Sequence, residues 1–120
     1  MKPFRKHVAI AIDGGGIKGV MVTRALAILE EHLGLGSSEI FQLAAGTSTG
    51  SIISAGIAVG LTGSDMLRLY TELGHDVFRK TLRSRLWFLT HYRYPHGPLE
   101  EALSHHIGGL TMGDLWHSSP

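Results

Sequence analysis

Gly46-Thr47-Ser48-Thr49-Gly50 separates two apolar segments of different character. Residues 40–45 before it predict a strand, and residues 51–59 after it predict a helix. A Gly-x-Ser-x-Gly turn between a strand and a helix is the context of a nucleophile elbow, in which a serine hydroxyl projects from a tight reversal of the chain. Glycine on each side leaves space where a Cβ atom would collide with the strand or the helix. We therefore expect Ser48 to be a displayed nucleophile, with Gly46 and Gly50 as the glycines of the elbow.

A second glycine-rich stretch, Asp13-Gly14-Gly15-Gly16-Ile17-Lys18-Gly19, follows an earlier apolar run. That run, residues 7–12, is partly β-branched and predicts a strand buried on both faces, as in a parallel sheet. After the glycines, apolar residues recur at three- and four-residue steps up to Leu33, which predicts an amphipathic helix that ends at Gly34. The order strand, loop, helix, strand, turn, helix predicts an α/β fold with right-handed crossovers and a parallel sheet.

The second half of the chain is predicted to be mainly helical. The predicted features are a helix with Ser64 as N-cap that ends near Phe78, an irregular basic and aromatic connection over residues 79–94, a helix over residues 99–107 that ends at Gly108-Gly109, and a capping box from Thr111 to Asp114. Two strands with four helices are too few for a complete sheet, because each helix needs sheet on which to bury its apolar face. We therefore expect the chain to be the first part of a longer domain.

The N–H groups of consecutive glycines at the start of a helix bind negative charge, and two functional interpretations compete for the glycine loop. As Gly14-x-Gly16-x-x-Gly19 it matches a dinucleotide-binding motif, and beside Ser48 it forms an oxyanion hole. A dinucleotide site requires an acidic residue at the end of the next strand, where this chain has Ala44-Ala45. This difference favours the oxyanion hole. A plain tight turn, and Ser48 as a helix N-cap, are the non-catalytic alternatives.

Composition excludes several other classes of function. Lys and Arg number 11 against 10 Asp and Glu, so the charge balance does not favour nucleic acid as a partner. The absence of cysteine excludes disulfides, thiolate metal sites and a cysteine nucleophile. The apolar runs at residues 8–12 and 52–61 are both shorter than the ~20 residues of a membrane-spanning helix. We therefore expect no signal peptide and no transmembrane segment, in a protein that is cytoplasmic or peripheral to a membrane.

The two motifs, in this order, resemble the amino-terminal half of a patatin-like phospholipase, and the resemblance extends from about Val8 to residues 109–115. It implies a three-layer α/β/α fold with a mainly parallel sheet, incomplete in this chain. It also implies a lipid acyl hydrolase that cleaves carboxylic esters of lipids or phospholipids with a Ser-Asp dyad and needs no metal or other cofactor. The implied partner is a lipid substrate at a membrane or micelle surface.

Site residues follow from the resemblance position by position. Ser48 corresponds to the nucleophile. The residues that correspond to the oxyanion hole and its supporting loop are Gly14, Gly15, Gly16, Lys18 and Gly19. Lys18 stands where the family more often has arginine, so the charge is kept and the planar fork is lost. Ser51 stands where a further glycine is common.

The catalytic base is the missing part of the implied dyad. In the family it is an aspartate in a late Asp-Gly-Gly or Asp-Gly-Ala, and the aspartates here are Asp13, Asp65, Asp76 and Asp114. Asp13 precedes two glycines, but it belongs to the oxyanion loop, so none of the four is assigned as the base. We expect residues 1–120 to be the amino-terminal part of a single patatin-like domain, with the base beyond residue 120. A serine without a base is a poor nucleophile, so the chain alone is expected to be inactive.

Two other functions remain open from the sequence. A Ser-His-Asp esterase would take its histidine from those after the serine, namely His75, His91, His96, His105, His106 and His117. Their spacing selects none of them, and no acidic pattern accompanies them that would indicate a metal site. The other alternative is a non-catalytic fragment or pseudoenzyme that binds lipid or anions through the glycine loop. The basic and aromatic run at residues 79–94 suits either a membrane surface or a core-anchored loop.

Overall fold

A computed structural model of the chain describes residues 7–76 and 97–118. The elements in these ranges are β1 (Ala9–Ile12), a short 3-10 turn (Gly16–Lys18), α1 (Gly19–Leu33), α2 (Ser37–Ile40), β2 (Leu43–Gly46), α3 (Thr49–Ala58), α4 (Gly63–Asp76), α5 (Gly97–Ile107) and α6 (Met112–Ser118). The predicted helix end near Phe78 and the predicted connection at residues 79–94 lie outside the described residues.

The two strands form a parallel pair, with Ala9 opposite Leu43 and Ile12 opposite Gly46. Helix α1 makes the crossover between them, so both strands end at the same edge of the sheet. The Thr47 N–H extends the ladder by donating to the Ile12 carbonyl at 3.1 Å. This pairing confirms the predicted α/β class with a parallel sheet, and the small sheet with its helices is consistent with an incomplete three-layer α/β/α fold. It also places the glycine loop beside the serine turn.

The core lies between one face of the sheet and the helices. Its buried members are Ile12, Leu26, Ile53, Ile57, Met66 and Tyr70. Helix α3 packs on the strands, and α1 packs along α4. The close approach of α1 and α4 depends on Gly63, because a Cβ atom there would collide with the backbone of Ala27. Full burial of an Ile or Met side chain contributes about 1.5–3 kcal/mol, so these contacts hold α3 and the turn before it in place.

The other face of the sheet differs from the prediction. The first strand was expected to be buried on both faces, and this is wrong for the described residues: Ala9 and Ala11 of β1 are exposed. On the same face of β2, Ala45 is exposed and Leu43 is 62 % exposed. The side chains of a strand alternate between faces, and none of the elements described in residues 7–76 and 97–118 covers this one.

The end of α1 and the start of α4 can be compared with the predicted caps. Gly34 ends α1 in the left-handed conformation at φ +65°, and its N–H donates to the Glu30 carbonyl at 2.8 Å, as predicted. The prediction that Ser64 is the N-cap of α4 is wrong, because α4 already begins at Gly63. Thr62 caps it instead: its hydroxyl donates to the Asp65 carboxylate at 2.6 Å and accepts from the Asp65 N–H at 3.1 Å.

Three smaller features concern the remaining helices. The connection predicted after α1 contains the short helix α2, and the Glu30 carboxylate accepts hydrogen bonds from the Ser37 N–H and hydroxyl at its start. Helix α5 begins at Gly97, two residues before the predicted start. The predicted capping box of α6 is confirmed, because the Thr111 N–H and hydroxyl both donate to the Asp114 carboxylate, at 2.7 and 2.6 Å.

Candidate active site

Ser48 has the backbone of a nucleophile elbow. Its φ is +52° and its ψ is −125°, and among the described residues it is the only residue other than glycine with a positive φ. An L-residue in such a conformation costs on the order of 1–3 kcal/mol, and this cost is offset by the surrounding packing. The strand ends two residues before Ser48 and α3 begins one residue after it. The turn therefore holds the serine exposed at the carboxyl edge of the sheet.

Glycine is required at both ends of the turn by close backbone contacts. A Cβ atom on Gly46 would collide with the carbonyl of Gly50, and one on Gly50 would collide with the carbonyl of Ile12 at the end of β1. Real Cβ atoms do not approach other atoms so closely, so a side chain at either position would push the first turn of α3 away from the sheet. These contacts explain sterically why the Gly-x-Ser-x-Gly motif has glycine at both ends.

The glycine loop lies against the serine. A Cβ atom added to Gly14 would be 2.7 Å from the Ser48 Cβ and 2.7 Å from the Thr47 carbonyl oxygen. Only glycine lets the two loops come this close. The structure thus brings together two of the regions that the sequence predicted to form one site, although 33 residues separate them along the chain.

The N–H groups of the glycine loop are directed at the elbow. Gly14 donates to the Thr47 hydroxyl oxygen at 3.0 Å. Gly15 and Gly16 both donate to the Thr49 hydroxyl oxygen, at 3.2 and 3.1 Å. All three N–H groups therefore end on the two threonine hydroxyls that flank the serine. Sequence reasoning did not assign Thr47 or Thr49 a role, and the only signal was a hydroxyl on each side of the serine in the motif.

Lys18 and Gly19 shape the far end of the loop. The Lys18 N–H donates to the Gly15 carbonyl at 3.2 Å and closes the 3-10 turn, while the Lys18 side chain is exposed. Gly19 is buried where α1 begins, and a Cβ atom there would collide with the Tyr70 ring. The loop is thus anchored by the backbone hydrogen bond between Lys18 and Gly15 and by the close contact of Gly19 with α4.

Tyr70 links α4 to the elbow. It is 3 % exposed, and its hydroxyl donates to the Thr49 carbonyl at 2.7 Å. Burial raises the pKa of the Tyr70 phenol, and a hydrogen bond with the Thr49 side chain partly opposes that rise. The phenol therefore remains a hydrogen-bond donor at neutral pH. The sequence predicted Tyr70 only as part of the apolar side of its helix, because the position of the elbow relative to α4 is a tertiary contact.

Two serines of α3 add hydrogen bonds to the same turn. The Ser51 hydroxyl donates to the Ser48 carbonyl at 2.5 Å, and the buried Ser54 hydroxyl donates to the Gly50 carbonyl at 3.0 Å. Ser51 thus fits where the family more often has glycine. Its hydroxyl adds one restraint on the strained residue.

Two of the described aspartates take part in helix caps. The carboxylate of Asp65 interacts with Thr62 and with Arg68, and Asp114 caps α6, where hydrogen bonds from Thr111 lower its pKa. Asp13 is exposed directly after β1, and the Asp76 side chain lies outside the described residues. The base expected beyond residue 120 stays a prediction.

The histidine alternatives also stay open. His105 is exposed on α5, His91 and His96 lie outside the described residues, and so do the side chains of His75, His106 and His117. Within the part of the chain that the structure describes, no three His, Asp or Glu side chains are grouped so that they could hold a metal ion.

A family model settles the family. The model of the patatin-like phospholipases matches residues 10–118, a range that includes both the glycine loop and the elbow. The chain belongs to the patatin-like phospholipase family. The resemblance seen in the two motifs is therefore confirmed over nearly the whole chain.

Relatives in this family are longer proteins. A cGAMP-activated phospholipase of Pseudomonas aeruginosa is 34 % identical over 113 residues, which are 92 % of this chain and 34 % of the relative. Patatin-like protein 1 of rice is 30 % identical over 128 residues, 93 % of this chain and 31 % of the relative. The rat 85/88 kDa calcium-independent phospholipase A2 is 31 % identical over 102 residues, which are 85 % of this chain and 11 % of the relative. The chain thus spans about a third or less of the length of these patatin-like relatives.

The length and hydropathy of the helices decide whether any of them could cross a membrane. None of the helices in the described ranges is both long and apolar enough to cross a bilayer.

Proposed function

We propose that the chain provides the nucleophile and the oxyanion hole of a lipid acyl hydrolase, which cleaves carboxylic esters of lipids or phospholipids. The observation that carries the proposal is the strained backbone of Ser48, held at φ +52° directly against Gly14. Strain of this kind persists where a function requires it, and here it displays one hydroxyl beside the glycine loop, in which the Gly15 and Gly16 N–H groups converge on one point. The names of the relatives, all phospholipases or a patatin-like protein, support the same reaction.

The proposed chemistry is acyl transfer in two steps. The Ser48 Oγ bonds to the ester carbonyl carbon, its proton passes to a base, and the carbonyl oxygen becomes an oxyanion beside the N–H groups of Gly15 and Gly16. When the C–O bond to the alcohol breaks, the base returns the proton to the leaving oxygen. Water then attacks the acyl-serine by the same route and releases the fatty acid.

The second member of the dyad is proposed to be an aspartate beyond residue 120, with residues 1–120 as the amino-terminal part of one patatin-like domain. The substrate is proposed to be met at a membrane or micelle surface, and the chemistry above requires no metal or other cofactor. Removal of a serine proton near neutral pH requires the base, so the chain alone is expected to lack activity.

Ser48→Ala tests the proposal in the intact protein. We expect loss of ester hydrolysis on phospholipid micelles and loss of labelling by a fluorophosphonate probe, because both reactions need the serine oxygen. Ser64→Ala is the matched control, since Ser64 is exposed on α4, and it should retain both. Hydrolysis by the Ser48 variant would refute the assignment. Loss of activity on changing one of the histidines after the serine, of which His105→Ala is one example, would instead support a Ser-His-Asp esterase.

A further inference from the structure

The Thr49 hydroxyl occupies the point where the Gly15 and Gly16 N–H groups converge. We propose that this hydroxyl is an internal cap on the oxyanion hole: it competes with the oxyanion for the two N–H groups and lowers the reactivity of the resting site. The inference rests on the proposed function, because it assumes that these N–H groups receive the charge formed at Ser48.

The two glycine N–H groups and the Thr49 oxygen have the geometry of an oxyanion hole that already holds an oxygen atom. An oxyanion hole needs two donors at about 2.7–3.1 Å from one oxygen position, and the N–H groups of Gly15 and Gly16 lie 3.2 and 3.1 Å from the Thr49 oxygen. Thr49 directly follows the nucleophile in the chain, at the first residue of α3. Gly14 is not part of the cap, because its N–H donates to Thr47.

The same hydrogen bonds oppose the reaction. Only interactions that are stronger in the transition state than in the free protein accelerate the chemical step. A bond that the free protein makes and the transition state must give up has the opposite effect. Replacement of the Thr49 hydroxyl by the oxyanion is still favourable, because a charged oxygen accepts hydrogen bonds roughly twice as strong as those of a neutral hydroxyl.

The backbone of the turn has a hydrogen bond that does not depend on the Gly15 and Gly16 contacts of the Thr49 hydroxyl. The Thr49 backbone is held by Tyr70, whose hydroxyl donates to the Thr49 carbonyl at 2.7 Å. The side chain is attached at the first residue of α3 and is only half-buried. Rotation of χ1 to another staggered position moves the oxygen away from the two N–H groups while the elbow stays in place.

Thr49→Val tests the cap, because valine keeps the shape of the side chain and removes the acceptor. In the intact protein, we expect the second-order rate constant for fluorophosphonate labelling of Ser48 to rise about fivefold, the factor that corresponds to one ordinary neutral hydrogen bond. Thr49→Ala should move the rate in the same direction, and Thr49→Ser, which keeps a hydroxyl, should stay close to the wild type. Thr71→Val is the matched control, since that hydroxyl bonds only within α4, to the Leu67 carbonyl.

An unchanged or lower rate in both Thr49→Val and Thr49→Ala, with the wild type still labelled at Ser48, would overturn the cap and leave the proposed function intact. Absence of labelling in the wild type would contradict the proposed function instead. Amide exchange followed by NMR tests the contact without any turnover. The Gly15 and Gly16 amides should exchange faster in Thr49→Val than in the wild type, and equal exchange would overturn the inference.

Discussion

Tyr70→Phe removes one hydroxyl and keeps the ring that packs against Gly19. The lost interaction is the 2.7 Å hydrogen bond to the Thr49 carbonyl, and no cavity forms because the ring remains. One neutral hydrogen bond contributes about 1 kcal/mol net, so we expect the free energy of unfolding to fall by about that amount. Tyr70→Ala adds a cavity at a residue that is 3 % exposed, and should cost about 3–5 kcal/mol.

The pH dependence gives the same prediction a second readout. Burial raises the pKa of the Tyr70 phenol in the folded protein, whereas the unfolded phenol titrates near its ordinary value of about 10. The contribution of Tyr70 to stability is therefore fully present below the unfolded pKa and is lost as the pH rises through the folded pKa. Tyr70→Phe should remove this part of the alkaline loss of stability.

Urea unfolding of the intact protein, followed by circular dichroism at pH 7 and at several values above pH 10, measures both effects. Tyr70 is the only tyrosine that differs between the two proteins, so the difference between the curves isolates its contribution. Equal stability of the two proteins at pH 7 would refute the stabilising hydrogen bond between α4 and the elbow, and equal loss of stability above pH 10 would refute the effect of burial on the phenol.

Three further predictions concern stability. Gly50→Ala should cost about 1–3 kcal/mol or more in urea unfolding, because its Cβ collides with backbone at the end of β1, whereas Gly109→Ala, with open space around it, should change stability by less than about 0.5 kcal/mol. Ile53→Ala should cost about 2–5 kcal/mol by the same assay, since the side chain is 1 % exposed. Asp114→Asn should speed amide exchange at the start of α6 at pH 7. In the wild type, amide exchange at the start of α6 should become faster in the same way as the pH falls through the lowered pKa of Asp114, because the capping interaction of Asp114 with Thr111 is lost on protonation.

Much of the fold and of the candidate site follows from local sequence. The two strands, the first crossover helix, the glycine end of α1 and the capping box of α6 all depend on residues a few positions apart. Periodicity and capping chemistry act over that range, which is why these features could be predicted. The strand-turn-helix context of Ser48 likewise predicted an exposed serine, and its positive φ agrees with a nucleophile elbow.

The features that escaped prediction depend on tertiary contacts. The hydrogen bonds from the glycine loop to Thr47 and Thr49 join residues 33 or 34 positions apart, and only the parallel register brings them together. Tyr70 reaches the elbow over 21 positions. The cap of α4 is a different case, because the hydrogen bonds between Thr62 and Asp65 have the same local spacing as those between Thr111 and Asp114. The exposed sheet face depends on which elements cover it, and a strand pattern does not contain that information.

The most direct test of the account is to map the site of a covalent adduct. The intact protein is treated with a fluorophosphonate, digested, and sequenced by mass spectrometry. The account predicts one phosphonylated residue, Ser48, since among the described residues it is the only one other than glycine at a positive φ, and it lies against the glycine loop. An adduct on another serine, with Ser48 unmodified and hydrolysis abolished, would contradict the claim that Ser48 is the nucleophile.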